Sequence, residues 1–352
     1  MTHFFRTIGL ACLVLSLSAC SFTTNIKFGS SKSSPAGEIT LNAVEKQIDR
    51  IRGKWNGHDA EGLGEEYTAD GLSILGSQDL ALIGRDAIVE NFGAVFGEGS
   101  PFKGATANIT TEYVKDLGNG YAVSDGTFEV FGSDGTSMMI GKWGDVMKAT
   151  AEGPRMLQEA VFATLTEADN ITPPAGDNAH AGLKSVTNDL AMMEIVKSFE
   201  ESWATGNSEA LANLFTDDAV RLVDSAPDAL RGRDAIRESF AAGFADDSPF
   251  KGSRLTGIVL GMRNLDDDYL IAHGIWRGVD ASGAPLGRGQ WANLYRREGD
   301  KIRIVKRTPE RWSFPGSSPQ SPSIPNCRQY RTAGASVCGS PCNLLQPLKE
   351  QT

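Results

Sequence analysis

Apolar positions recur at helical spacing in two stretches that mirror each other. Val44, Ile48, Ile51 and Trp55 follow one another at four, three and four residues, which lays them on one helical stripe. Met192, Val196, Phe199 and Trp203 repeat that spacing. Asp59 and Asn207 stand where an N-cap would begin a second, short helix. A short strand is predicted next, about Leu72 to Gly76 and Val220 to Asp224. A third helix begins near Arg85 and near Arg233, with Ile88, Phe92 and Phe96 on one core face and Ile236, Phe240 and Phe244 on the other. Strand-like segments then run to Ala163 and to Thr308, punctuated by turns at Gly118-Asn119-Gly120, Asp134-Gly135 and Ser282-Gly283. The pattern is α+β, with about three helices on one face of a mainly antiparallel sheet, formed twice.

The mirroring is a duplication. Gly84-Arg85-Asp86-Ala87-Ile88 returns as Gly232-Arg233-Asp234-Ala235-Ile236, and Ser100-Pro101-Phe102-Lys103-Gly104 as Ser248-Pro249-Phe250-Lys251-Gly252, both at an offset of 148 (84 to 232, 100 to 248). Without a gap, 22 of 50 positions are identical between 55–104 and 203–252. A unit of this length is a domain rather than a solenoid repeat. Two tandem domains are expected at 38–166 and 186–312. The Pro173-Pro174 stretch from 167 to 185 reads as their linker, and the Ser/Pro-rich 313–352 as a disordered tail.

The N-terminus reads as a signal peptide over 1–19. Arg6 precedes the apolar run Ile8 to Leu17, too short to span a bilayer, and Leu17-Ser18-Ala19-Cys20 closes it. That tetrapeptide resembles the lipobox of bacterial lipoproteins. The resemblance implies acylation of Cys20, cleavage before it, and a Ser-rich tether over 20–37. Ser21 after the cysteine implies the outer membrane facing the periplasm. Of five cysteines, Cys12 leaves with the signal and Cys327, Cys338 and Cys342 remain in the tail. They suggest a disulfide plus one further thiol. The net charge of -10 and pI near 5.0 exclude nucleic acid as a partner, since phosphate binding needs clustered cations.

The helix ending in Trp203, then Phe215-Thr216-Asp217-Asp218-Ala219, Gly-Arg-Asp-Ala-Ile and the stretch Trp291 to Lys306 resemble the SnoaL-like branch of the nuclear-transport-factor-two-like fold. The resemblance covers both repeats. It implies a cone-shaped domain with a pocket, in a family holding polyketide cyclases, ketosteroid isomerases, dehydratases and non-catalytic binding modules. Members often dimerise through the sheet, so intrachain pairing of the two domains is expected. In the isomerases the catalytic Asp stands four residues after the matching Ala. Here that position is Val223, and Leu75 in the first repeat, neither of which can take a proton.

Two residues remain as candidate bases. Asp224 adjoins Val223, on the opposite face by strand alternation. His273 is the histidine inside a predicted strand, and a pKa near 6.5 suits proton transfer. Trp291, Asn293 and Tyr295 share one strand face and form a candidate ligand-binding set with Arg277. In the first repeat Asp125, Glu129 and Asp145 replace His273, Arg277 and Asn293. Residues 38–167 hold 21 acidic and 10 basic side chains, and residues 186–312 hold 20 and 17. An anionic or small hydrophobic ligand is therefore expected in the second domain. No Walker loop, dinucleotide fingerprint, nucleophile elbow or metal-ligand spacing occurs, so no cofactor or metal is expected. The sequence favours a lipid-anchored envelope protein that binds a small molecule or a protein partner. The alternative is a periplasmic lyase or isomerase, cyclase- or dehydratase-like, using His273 or Asp224.

Overall fold

The computed structural model describes residues 37–75, 80–165, 182–223 and 228–309. Cys20, the tail cysteines and Asp224 lie outside them. The chain forms two six-stranded sheets, each with its own helices, a first and a second unit in chain order.

In the first unit, α1 (Leu41–Asn56) and α2 (Ala60–Glu65) precede β1 (Tyr67–Leu75), β2 (Leu82–Ile83) and α3 (Arg85–Phe96). Four long strands follow: β3 (Thr106–Gly118), β4 (Tyr121–Phe131), β5 (Ser137–Thr150) and β6 (Gly153–Leu165). The second unit repeats this order as α4 (Leu190–Ala204), α5 (Ser208–Ala212), β7 (Phe215–Arg221), β8 (Leu230–Arg231), α6 (Arg233–Gly243), β9 (Arg254–Asn264), β10 (Tyr269–Val279), β11 (Pro285–Glu298) and β12 (Lys301–Pro309). The sheets run β2-β1-β6-β5-β4-β3 and β8-β7-β12-β11-β10-β9. In the second sheet β9 to β12 form an antiparallel meander, and β7 joins β12 in parallel. The fold is α+β, with two six-stranded mixed sheets packed with helices.

Local chemistry sets the element ends. Asp59 and Asn207 cap the short helices as expected, accepting from the backbone N–H of Gly62 and Ala210. The first strand of each unit begins earlier than its polar sequence suggests, at Tyr67 and Phe215. Both side chains are fully buried, and Phe215 pairs with Ile304, so tertiary packing overrides the local Thr-Asp-Asp signal.

The shared Gly-Arg-Asp-Ala-Ile motif is architectural. Gly84 and Gly232 adopt φ of 85° and 84°, open to glycine, and donate to Gly71 and Ala219 carbonyls at 2.8 Å. Arg85 and Arg233 then clasp the carbonyls of Tyr67 and Phe215 at 2.8 and 2.9 Å, tying the helix to the first strand. Ile88 and Ile236 complete the motif in the two cores.

The predicted helical stripes face those cores. Val44, Ile48 and Ile51 pack with Tyr67, Trp143 and Met147, and Met192 and Phe199 with Phe215, Trp291 and Tyr295. Ile195, outside the predicted stripe, is more buried than Val196. Trp203 meets Phe240, Phe244 and Phe250 edge-on at 5.1–6.2 Å, and its indole donates to Ser253 Oγ at 2.8 Å.

Candidate functional site

In the second unit a cavity of about 40 Å³ lies between α4 and the sheet. β11 supplies Trp291, Asn293 and Tyr295, which alternation places on one face and which the structure brings together there. From α4 come Ile195, Phe199 and Glu200, and from β12 come Ile304 and Arg307.

Arg307 reaches this face through a β-bulge. Tyr295 pairs with Ile304 but Leu294 pairs with Lys306, so Val305 is the extra residue. Strict alternation from Ile302 and Ile304 would turn Lys306 inward. The bulge reverses the parity, sets Arg307 opposite Asn293, and leaves Lys306 on the other face.

The polar groups of the cavity form one cluster. Tyr295 Oη and the Asn293 amide are 2.7 Å apart. In the amide orientation that satisfies its neighbours, Asn293 Oδ1 accepts from Tyr295 Oη at 2.7 Å and from Arg307 Nη1 at 3.2 Å, and Nδ2 donates to the Ala292 carbonyl at 2.9 Å. The Arg307 guanidinium lies over the Phe199 ring at 4.2 Å. Its Nε has no hydrogen-bond partner among the described residues. Burial pulls Arg307 down to about 10, against a smaller upward pull from Tyr295. Burial likewise pushes the Tyr295 phenol up to about 12, against a smaller downward pull from the Arg307 cation. At neutral pH Arg307 is therefore a cation and Tyr295 a protonated phenol. Glu200 Oε1 accepts from the Gly257 backbone N–H at 2.6 Å.

Trp291 forms the wall under this cluster. Its indole donates to the Ile275 carbonyl at 3.1 Å. The ring lies so close to Gly274 that a Cβ there would stand 2.7 Å from Trp291 Cζ2 and 1.9 Å from the Ile258 carbonyl oxygen. Gly126 and Trp143 reproduce this packing in the first unit.

The remaining expected residues lie elsewhere. His273 pairs with Ala292, whereas Trp291, Asn293 and Tyr295 pair with Gly274, Ala272 and Leu270. Opposed residues share a face, so His273 is on the opposite face of the sheet from the cavity and is not positioned as its base. The imidazole covers Gly261, where a Cβ would fall 2.3 Å from Cε1. Burial lowers His273 to about 4, so it is neutral at pH 7. Arg277 lines a separate open groove of about 550 Å³ with Arg254, Thr256 and Val279. Groove and cavity meet at Glu200 and Leu255, which line both. Asp224 is outside the described residues.

In the sequence Arg307 stands only as one of the 17 basic side chains of residues 186–312, not as a cavity residue. One signal was present in the duplication. At the 148 offset, Asn293, Tyr295 and Arg307 answer to Asp145, Met147 and Glu159 (145 to 293, 147 to 295, 159 to 307). Two polar positions thus change charge together. In the first unit Glu159 Oε2 accepts from Tyr67 Oη at 2.5 Å and Ser73 Oγ at 2.7 Å, and Asp145 is buried.

Residues 196–305 match the family model described as a SnoaL-like domain. No curated protein matches the chain. Solved structures similar to it include a domain of unknown function with a cystatin-like fold from Nostoc punctiforme, 18% identical, covering 37% of this chain and 81% of that one at a TM-score of 0.32. An NTF-2 like protein of unknown function from Shewanella oneidensis is 15% identical, covering 34% and 96% at 0.30. A ketosteroid isomerase-like protein from Erwinia carotovora is 14% identical, covering 35% and 95% at 0.29. Residues 196–305, which run from α4 to β12 of the second unit, are thus similar to a SnoaL-like domain.

Proposed function

We propose that this is a lipid-anchored envelope protein whose second domain binds a small molecule without transforming it. The observation that supports this most is the cavity lining. Arg307 and the second Nδ2 hydrogen of Asn293 offer hydrogen-bond donors, while the Tyr295 proton is given to Asn293, Glu200 is engaged by a backbone N–H and His273 faces away. Such a set holds a negative or carbonyl oxygen; proton abstraction needs a free base within reach of the ligand.

The test is a screen of small molecules by intrinsic fluorescence, since Trp291 and Trp276 both line the cavity. Ligands found this way should bind without turnover. Trp291→Ala should weaken them at least about tenfold by removing an aromatic wall, and Trp143→Ala should leave them unchanged. Ligands lost only in a folded Trp143→Ala would put binding in the first domain, and product formation would overturn the non-catalytic reading.

Anchoring is tested separately. Cys20→Ser should abolish incorporation of labelled palmitate and release the protein from the membrane fraction. Two or more acyl chains hold firmly because each buried methylene contributes about 0.8 kcal/mol. Unchanged labelling and membrane partition in the variant would refute the anchor.

A further inference from the structure

We propose that the cavity of the second unit takes a monocarboxylate with an apolar body, the carboxylate held by Arg307 and the body leaving past Leu255 into the outer groove. This rests on the binding reading above and gives its ligand class.

Arg307 carries the argument. Its Nη1 is engaged by Asn293 and its face by Phe199, while Nε is unpartnered. Glu200, the carboxylate among the cavity residues, binds Gly257 N–H instead. A half-buried cation with a covered Nε and no counterion is costly, and a carboxylate matches the planar guanidinium fork. The second Nδ2 hydrogen of Asn293 adds a donor beside it, while the Tyr295 proton is given to Asn293 Oδ1.

Size selects among anions. The cavity is small, about 40 Å³ where one water needs roughly 10–15 Å³. A flat three-atom carboxylate head suits that space better than a tetrahedral phosphate or sulfate. Ile195, Val196, Phe199 and Trp276 make the remaining wall apolar, which favours a hydrocarbon body. The groove beyond holds Glu200 and Glu201 against Arg254 and Arg277, so it offers no net charge for a second anionic end. The first unit cannot compete, because Asp145 and Glu159 stand where Asn293 and Arg307 do.

The experiment is calorimetric titration of the full chain with octanoate, octanamide and octyl phosphate. Octanoate should saturate one site, with the amide and phosphate at least about tenfold weaker. Arg307→Met should weaken octanoate at least about thirtyfold, the equivalent of losing one charge-assisted hydrogen bond of about 2 kcal/mol. Arg307→Met should fold, because it exchanges a half-buried cation without a counterion for an apolar chain of similar length; circular dichroism checks this. Arg307→Lys, which keeps the charge without the fork, should retain the preference for carboxylate at reduced affinity. Absence of saturable octanoate binding, or indifference to Arg307→Met in a folded protein, overturns the proposal. Octanamide that binds as tightly as octanoate, is lost in Trp291→Ala and ignores Arg307→Met would overturn the carboxylate while leaving the cavity a binding site.

Discussion

Glu66 is the ionic centre of the first unit, and its removal has a calculable cost. The residue is fully buried. Its carboxylate accepts from Arg50 Nε at 3.0 Å and Nη2 at 2.8 Å, Lys54 Nζ at 2.8 Å and Arg155 Nη1 at 2.9 Å. The Lys54 and Arg155 side chains are 23% and 17% exposed, while Arg50 is 37% exposed and largely screened. Two charge-assisted bonds at about 1.5 kcal/mol each give about 3 kcal/mol for Glu66→Gln, with Arg50 adding little. At tenfold per 1.4 kcal/mol, native-state hydrogen exchange should quicken about a hundredfold in peptides spanning 60–75 and 153–163. The second unit is an internal control, because Leu214 stands at the matching position (66 to 214) and its peptides should not change. Burial pulls the Glu66 pKa up, but hydrogen bonds and charge from Arg50 and Lys54 outweigh it and leave it below the ordinary value. The unfolded chain then takes up the proton first. The contribution is complete above about pH 4.3 and is lost as pH falls through the lower folded value. Glu66→Gln should remove that acid dependence. Exchange in the first unit altered less than about threefold, or altered equally in both units, would refute the reasoning.

His273 should give the second unit its own acid sensitivity. Its folded pKa of about 4 lies below the ordinary 6.5 because of burial, so the unfolded state binds the proton first as pH falls through that window. Stability should drop by up to about 3 kcal/mol between pH 6.5 and 4, and the urea midpoint of the second-unit transition in His273→Gln should lose that slope. Gly274→Ala places a methyl 1.9 Å from the Ile258 carbonyl oxygen and should cost more than about 3 kcal/mol or prevent soluble expression. Gly243→Ala, with nothing within 4 Å at the end of α6, should leave melting unchanged or slightly raised, so equal effects would disprove the packing argument. Because burial depresses Arg307 to about 10, the ligand-free second unit should gain stability as pH rises past that value, and Arg307→Met should abolish the gain in alkaline urea titrations.

Much of the fold was legible because it depends on periodicity and repetition. The stripes Val44 to Trp55 and Met192 to Trp203, the caps Asp59 and Asn207, and the 148-residue offset all act within a few residues or by direct comparison of the copies. Alternation alone put Trp291, Asn293 and Tyr295 on one face, and they line one cavity. Two features depended on tertiary structure. His273 and Asn293 come from different strands, and only the pairing register, with His273 opposite Ala292, shows that they face opposite ways. Arg307 would point away from the cavity in an unbroken strand. One extra residue, Val305, inserted against β11 turns it inward. Bulges arise from the pairing of two strands, and neither strand's own sequence specifies which residue is left over. The sequence by itself thus determined the duplicated architecture and the wall of the cavity, while the register between strands decided which charge stands inside it.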